Sequence, residues 1–395
     1  MPTNRHESSL MNLFFELLQI ALGTREKLSR VPTAEEWDAL YEEAERQAIV
    51  GLLLSGLERL PEEQLPPLEV KLQWIGMVQM MEAEYKVHCE RAVELTSRFR
   101  SVGFKSCVLK GVGMAQYYPV PERRQCGDID IWVGPNVGKS EKGKVRSGAF
   151  RKSLMAYLRS QYKIGLVTWH HVDAEIFEDV PVEVHVHPGW MYHPLHNWRL
   201  QRWFKAHTED IFGHTDSTDN TDNSSLNTNR TNETNGFTTP SVEFDAVYSL
   251  VHTFHHLMDE GVGLRHIVDY YYVLRECHTD NTDNTDILRV LKSIGLGKFA
   301  GAMMWVLKEA CGAADEMLLC EPDEKAGRFL LQEIMLAGNF GQYDARMVIP
   351  ENESYFHWIK RKFVRQLRFF KYYPGEVLWT VPWKGWHKLW RMVNG

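Results

Sequence analysis

The sequence predicts an α+β fold: a small mixed β-sheet preceded and followed in the chain by N-terminal and C-terminal helical regions. Three observations carry this expectation. Residues 106–133 lead from an apolar strand through a glycine turn into Asp128-Ile129-Asp130-Ile131-Trp132-Val133, where acidic and apolar residues alternate with the period of a strand. The following segments read as strand, helix, strand, helix and then antiparallel strands, which suits a small mixed sheet with helices on one face. Apolar residues at helical spacing fill the chain before residue 100 and after residue 241.

Composition bounds the rest. With 395 residues, 44% hydrophobic and 25% charged, the chain has enough apolar content for two or three packed domains. A net charge of -7 argues against a nucleic-acid-coating protein. The six cysteines lack C-x-x-C spacing, which argues against a disulfide framework or a zinc ribbon and suits a reducing compartment. No apolar run reaches the length of a membrane span, so the expected location is cytoplasmic.

In chain order, residues 10–22 form a buried helix with Leu10, Phe14, Leu17 and Leu18 on one side. Thr33-Ala34-Glu35-Glu36 is a capping box that starts a helix over 34–48. Residues 49–60 continue helically, and Pro66-Pro67 open the longest helix, over 68–98. None of these helices contains a paired set of acids or a His cluster that demands chemistry, so residues 1–99 are expected to be a helical region beside the site.

The chemistry gathers next. Val108-Leu109 closes a strand, and Lys110-Gly111-Val112-Gly113 turns into a helix expected over 114–118. Amide groups at such a turn favour an anion, and Lys110 adds a compact positive charge. Asp128 and Asp130 share one strand face, and a divalent cation such as Mg2+ accounts for two like charges side by side. The bland alternatives are an ordinary glycine turn and an exposed strand face.

Residues 134–148 read as a flexible rim loop whose Lys139, Lys142, Lys144 and Arg146 are best taken as a solvated surface. A helix over 150–161 and strands over 163–169, 171–177 and 180–187 follow. In Val182-Glu183-Val184-His185-Val186-His187 the polar residues share one face, which presents a carboxylate and two imidazoles together.

Lys110-Gly111, Arg124 four residues before Asp128-Ile129-Asp130, and Val182-Glu183-Val184-His185 together resemble the uncharacterised bacterial branch of the DNA polymerase β-like nucleotidyltransferase superfamily. The resemblance implies a nucleotidyltransferase core over 100–212, with Asp128, Asp130 and Glu183 as catalytic metal ligands for Mg2+ or Mn2+. It implies that Lys110, Gly111, Gly113, Arg124 and His185 serve the nucleoside triphosphate, and that Glu183 assists an acceptor hydroxyl on a small molecule, RNA or protein. The superfamily's Gly-Ser turn is replaced here by Lys110-Gly111-Val112-Gly113, so no serine contact to phosphate carries over.

Residues 213–240 form a low-complexity Thr/Asp/Asn/Ser insertion that cannot bury apolar surface, and the same unit recurs over 279–286 as a second loop expansion. Asn223, Asn229 and Asn232 begin N-x-S/T triplets that mean only a polar loop in a cytoplasmic chain. The remainder, 241–395, is expected to be a helical domain. Its helices span 242–257 with His252, His255 and His256, 264–275 with Arg265 and Asp269 paired at i, i+4, then 287–311 and 327–336. By the resemblance such a domain closes over the nucleotide, which makes His255 and Arg265 candidate base or ribose contacts. The tail, 358–395, interleaves lysine and arginine with aromatics against a single acid, Glu376. That composition suits RNA, an anionic membrane surface, an acidic partner, or a last helix docking its own aromatics.

The expected activity is metal-dependent transfer of a nucleoside monophosphate from an NTP to a hydroxyl with loss of pyrophosphate. The alternatives are a catalytically silent nucleotide-binding or scaffold module, or a zinc hydrolase using His170-His171, His185-x-His187 and His193-Pro-Leu-His196.

Overall fold

The structure, a computed structural model, describes residues 5–135, 147–212, 231–232, 236–280, 282–347, 354, 361 and 363–394. The chain divides into two compact units, each discontinuous in sequence. One comprises Lys86–Gln116, Cys126–Tyr248 and Leu378–Gly395; the other comprises Met1–Tyr85, Tyr117–Gln125 and Ser249–Val377.

The first unit holds the sheet. Its strands are β1 (Phe104–Val108), β2 (Ile129–Pro135), β3 (Lys163–Val167), β4 (His171–Glu175) and β5 (Val182–His185), in spatial order β1-β2-β5-β4-β3. The β2/β5 pair is parallel and the other pairs are antiparallel, which makes the sheet mixed. Ile129, Ile131 and Val133 of β2 are buried as the alternating pattern requires, yet Asp130 between them is buried as well. Helices Pro194–Phe212 and Val242–Asp259 bring Phe204, Phe212 and Phe244 onto Trp132 of β2, with ring centroids 6.4, 4.8 and 5.7 Å away.

The expected helix over 114–118 is a single turn, Val112–Ala115. It starts as soon as Gly111, at φ 62°, has reversed the chain, and Pro119 and Pro121 leave it no room to continue. The rim-loop lysines expected over 134–148 fall between the end of β2 at Pro135 and the helix Ser147–Gln161, and lie outside the described residues. The low-complexity stretch lies outside them as well, except that Thr231–Asn232 pairs antiparallel with Phe237–Thr238.

The second unit is helical. The capping box forms as expected: Thr33 Oγ1 accepts from the Glu36 amide at 3.3 Å, and the Thr33 amide donates to Glu36 Oε2 at 2.9 Å. The helix it starts, Ala34–Arg46, buries Trp37, Leu40, Tyr41 and Ala44. The single helix expected over 287–311 is two, Asn284–Ser293 and Gly297–Cys311, because Gly295 takes φ 81° between them. The loop expected over 279–286 is also shorter than its composition suggests. Helix Leu264–Thr279 runs into it, and Asp283 caps the next helix by accepting from the Thr285 amide at 2.8 Å.

The tail is only partly outward-facing. Arg365 is buried and donates to the Leu257 carbonyl at 2.8 Å, whereas the C-terminal helix Pro374–Asn394 sets Trp383 5.8 Å and Trp386 6.3 Å from Trp169. The six cysteines form no disulfide, and no helix among the described residues is long and apolar enough to cross a membrane.

Candidate active site

The site is built from the centre of the sheet. Parallel pairing sets Asp130 of β2 opposite Glu183 of β5, and antiparallel pairing sets His185 opposite His171 and Glu183 opposite Asp173 of β4. Pairing thus places on one face what lies 53 to 55 residues apart in the chain. Gly111 turns directly beneath the approach to β2: a Cβ there would stand 3.0 Å from the Asp128 carbonyl, in a backbone region that disfavours side chains. His88 Nε2 lies 2.9 Å from the Gly127 carbonyl and pins the same approach. As a result, ligand atoms of Asp128, Asp130 and Glu183 all lie within 4.8 Å of one another.

Two cations answer these three carboxylates. Lys110 Nζ donates to Asp130 Oδ1 at 2.9 Å. His185 Nε2 stands 2.8 Å from the same oxygen and 3.3 Å from Glu183 Oε2. Burial works against the charge on His185, but the hydrogen bonds to Asp130 and Glu183 outweigh it and push its pKa up to about 9. Burial raises Glu183, yet the His185 hydrogen bond, with His171, His185 and Lys110 nearby, brings it down to about 2. Asp130 is held below its ordinary range in the same way, against burial, chiefly by Lys110 and His185. Lys110 is raised by Asp130, Asp128 and Glu183 despite burial. The cluster therefore sets three carboxylates against two cationic side chains.

One oxygen is left over. Asp130 Oδ2 is buried and finds no hydrogen-bond partner among the described residues. An orphaned carboxylate oxygen beside two further carboxylates, with a residual negative charge, fits a hard divalent cation. The acids, not the imidazoles, supply these oxygens, so the donor set suits Mg2+ or Mn2+.

The structure gives several of the expected residues partners within the chain. Arg124 belongs to the helical unit, where it makes a buried bidentate pair with Asp269, both contacts at 2.8 Å. Asp269 is thereby not the i, i+4 partner of Arg265, which instead donates to the Gln125 carbonyl at 3.1 Å and lies over the Phe340 ring. Lys110 points onto Asp130 and is not held ready for phosphate alone. His185 bridges two carboxylates, which gives it a structural and electrostatic task before any contact with nucleotide. Gly113 spends its amide on the Lys110 carbonyl at 3.0 Å, and a Cβ there would stand 2.9 Å from the Val108 carbonyl, so this glycine closes the turn against β1.

Other residues join that the motifs did not single out for this site. His171 Nδ1 lies 3.6 Å from Glu183 Oε2 and 2.6 Å from His170 Nε2, and His170 Nδ1 lies 3.1 Å from Thr168 Oγ1, so imidazoles lead away from Glu183 along the end of β4. The Tyr248 phenol is pushed well above its ordinary value by burial and then by the charges of Asp130, Glu183 and Asp245. The His170-His171 pair was visible in the sequence, but its neighbour Glu183 depends on strand pairing. His187, by contrast, stacks on Trp169 at 4.2 Å and is pushed down to about 4, chiefly by burial; it is a packed neutral ring.

No curated protein sequence matches the chain. Among solved structures, an antigenic nucleotidyltransferase-like protein from Paracoccidioides brasiliensis aligns over 61% of this chain and 96% of its own, at 11% identity and a TM-score of 0.31. A likeness that slight carries no argument about this chain. The sequence family described as "Uncharacterised nucleotidyltransferase" matches residues 33–312, which include the glycine turn, both aspartates and Glu183. The chain belongs to that family of uncharacterised nucleotidyltransferases.

Proposed function

We propose that this protein transfers a nucleoside monophosphate from an NTP to a hydroxyl acceptor at Asp128, Asp130 and Glu183, with release of pyrophosphate. The observation that carries this reading is the convergence of three carboxylates, one of which, Asp130, has a buried Oδ2 with no hydrogen-bond partner among the described residues. A Mg2+ or Mn2+ ion held by these three side chains would neutralise triphosphate charge and orient the α-phosphorus for in-line attack. Lys110, beside the Gly111 turn, supplies a second positive charge where the phosphates would lie. His185 keeps Asp130 and Glu183 ionised and holds both in place. Glu183, at about 2, is a weak base, so its task is to accept a hydrogen bond from the attacking hydroxyl and orient it. The proton that hydroxyl loses passes to solvent or to His171, the imidazole 3.6 Å beyond Glu183.

Pyrophosphate release with each NTP in Mg2+ tests this reading. Asp128→Asn combined with Asp130→Asn is expected to lower turnover by about a thousandfold or more, as loss of charge neutralisation does in phosphoryl transfer. Turnover that survives both changes overturns the assignment. One observation favours a second reading, a nucleotide-binding module without turnover: Lys110 and His185 already satisfy Asp130 Oδ1 from within the chain. Calorimetric binding of NTP and Mg2+ with no pyrophosphate released would favour that module.

A further inference from the structure

The helical unit contains a cluster that the carboxylate site does not use. His252 and His256 lie one turn apart on helix Val242–Asp259, and His266 comes from helix Leu264–Thr279. The Nε2 atoms of His252 and His256 face each other at 2.9 Å, and ligand atoms of all three rings lie within 4.8 Å. Two of the rings are also held on their other side. His256 Nδ1 stands 3.0 Å from Glu260 Oε2, and His266 Nδ1 stands 3.4 Å from the Gly263 carbonyl. A proton held on Nδ1 by such an acceptor leaves Nε2 as the lone-pair nitrogen, which is how metal-binding histidines are commonly oriented. Phe340 covers the cluster, with its ring 5.0 Å from His256 and 5.8 Å from His266, and it takes the left-handed φ of 53° to do so. His266 is buried while His252 and His256 are half-buried, so the cluster opens to solvent on one side.

We propose that His252, His256 and His266 bind a borderline divalent transition cation of the zinc class, with a fourth position left to solvent or a ligand. Three neutral imidazoles select such a cation over Mg2+, Mn2+ or Ca2+, which prefer oxygen. Zinc–nitrogen bonds of about 2.0–2.1 Å in tetrahedral array separate the ligand nitrogens by roughly 3.4 Å. The close His252–His256 pair, at 2.9 Å, must open slightly to reach that spacing. The charged groups facing the cluster are Glu260, which supports His256, and Arg265, set behind Phe340 at 5.2 Å from that ring. The protein would then sort two kinds of cation by donor chemistry, hard ions on carboxylates in one unit and a softer ion on imidazoles in the other. The bound ion would also tie two consecutive helices together.

The test uses the full chain, stripped with a chelator and dialysed against Zn2+ at neutral pH, with bound metal measured and Co2+ absorption as an independent report of the ligand set. The His171–Glu183–His185 group is a second place where zinc could sit, so His171→Gln with Asp130→Asn serves as the control. His256→Gln is expected to bind about one equivalent less than the parent, and the control variant is expected to keep that equivalent. Zinc should raise the melting temperature of the parent and of the control but not of His256→Gln. If His256→Gln does not fold, Glu260→Gln, at an exposed position, should fold and weaken zinc binding about tenfold. Equal zinc content in the parent and His256→Gln, unchanged affinity in Glu260→Gln, or no zinc bound by the parent overturns the proposal.

Discussion

Each unit buries an aspartate against a cation, and the two aspartates differ in what is left over. Asp269 has both oxygens taken: Arg124 donates to each at 2.8 Å, and the Tyr118 hydroxyl adds a third bond to Oδ1 at 2.7 Å. Asp130 has one oxygen crowded by Lys110 and His185, and the other buried without a hydrogen-bond partner among the described residues. Its neighbours include two more acids, whereas Asp269 faces a guanidinium that matches it charge for charge. A saturated pair of opposite charges needs nothing further and serves to hold the fold. A cluster in which carboxylates outnumber cations and one oxygen is left unsatisfied is costly unless something else binds there, which is what the proposed function supplies.

The comparison can be broken most sharply at Asp269. Asp269→Ala leaves the Arg124 guanidinium buried without its partner, so urea unfolding is expected to show a loss of about 3–5 kcal/mol. Asp130→Asn should cost much less stability, because it lowers a surplus of negative charge, while it removes nucleotide transfer. If the two variants are destabilised equally, the distinction between saturated and unsaturated clusters fails.

A smaller effect is expected at the glycine turn. Gly111→Ala must hold φ near 62° and brings a Cβ to 3.0 Å from the Asp128 carbonyl, which costs about 1–2 kcal/mol from backbone strain alone. The shift displaces Asp128, so Mg2+-dependent nucleotide binding should weaken along with stability. Gly113→Ala, which meets the Val108 carbonyl, should lower stability while the Asp128 backbone keeps its place. Identical binding losses in the two variants would remove Gly111 from the site.

The sheet unit, measured in chelator, should also depend on pH. His185 is raised from 6.5 to about 9, so its contribution is complete below pH 6.5 and fades as pH rises toward about 9. Glu183 is lowered from 4.5 to about 2, so its contribution is complete above pH 4.5 and fades as pH falls toward about 2. Metal-free stability from this pair should peak between pH 4.5 and 6.5, and His185→Gln should flatten the alkaline limb. An alkaline decline unchanged in His185→Gln would assign it to another group. The Arg124–Asp269 pair predicts no such limb, since a guanidinium stays charged throughout.

Much of the site was legible because its signals are local. The period-two alternation of Asp128-Ile129-Asp130 and of Val182-Glu183-Val184 announces two strands with acids on one face, and the Gly111 turn announces a reversal just before them. The partner of Arg124 was not legible, for the opposite reason. Its position four residues before Asp128 is a local signal, but its partner Asp269 lies 145 residues away on a helix. His171 shows the same limit, since only the register of β4 on β5 sets it beside His185. In the histidine cluster the i, i+4 spacing of His252 and His256 is readable on a helix, and His266 is added only by the packing of the next one.

Taken alone, the amino-acid order determined the α+β class, the alternating acids, the glycine reversal and the capped helices. These are properties of a few neighbouring residues, set by backbone sterics and by the periods of strand and helix. Tertiary structure alone decided which charges meet: Lys110 and His185 on Asp130, Arg124 on Asp269. Coulomb attraction and desolvation act through space, so a side chain's task is set by the neighbours that folding brings to it.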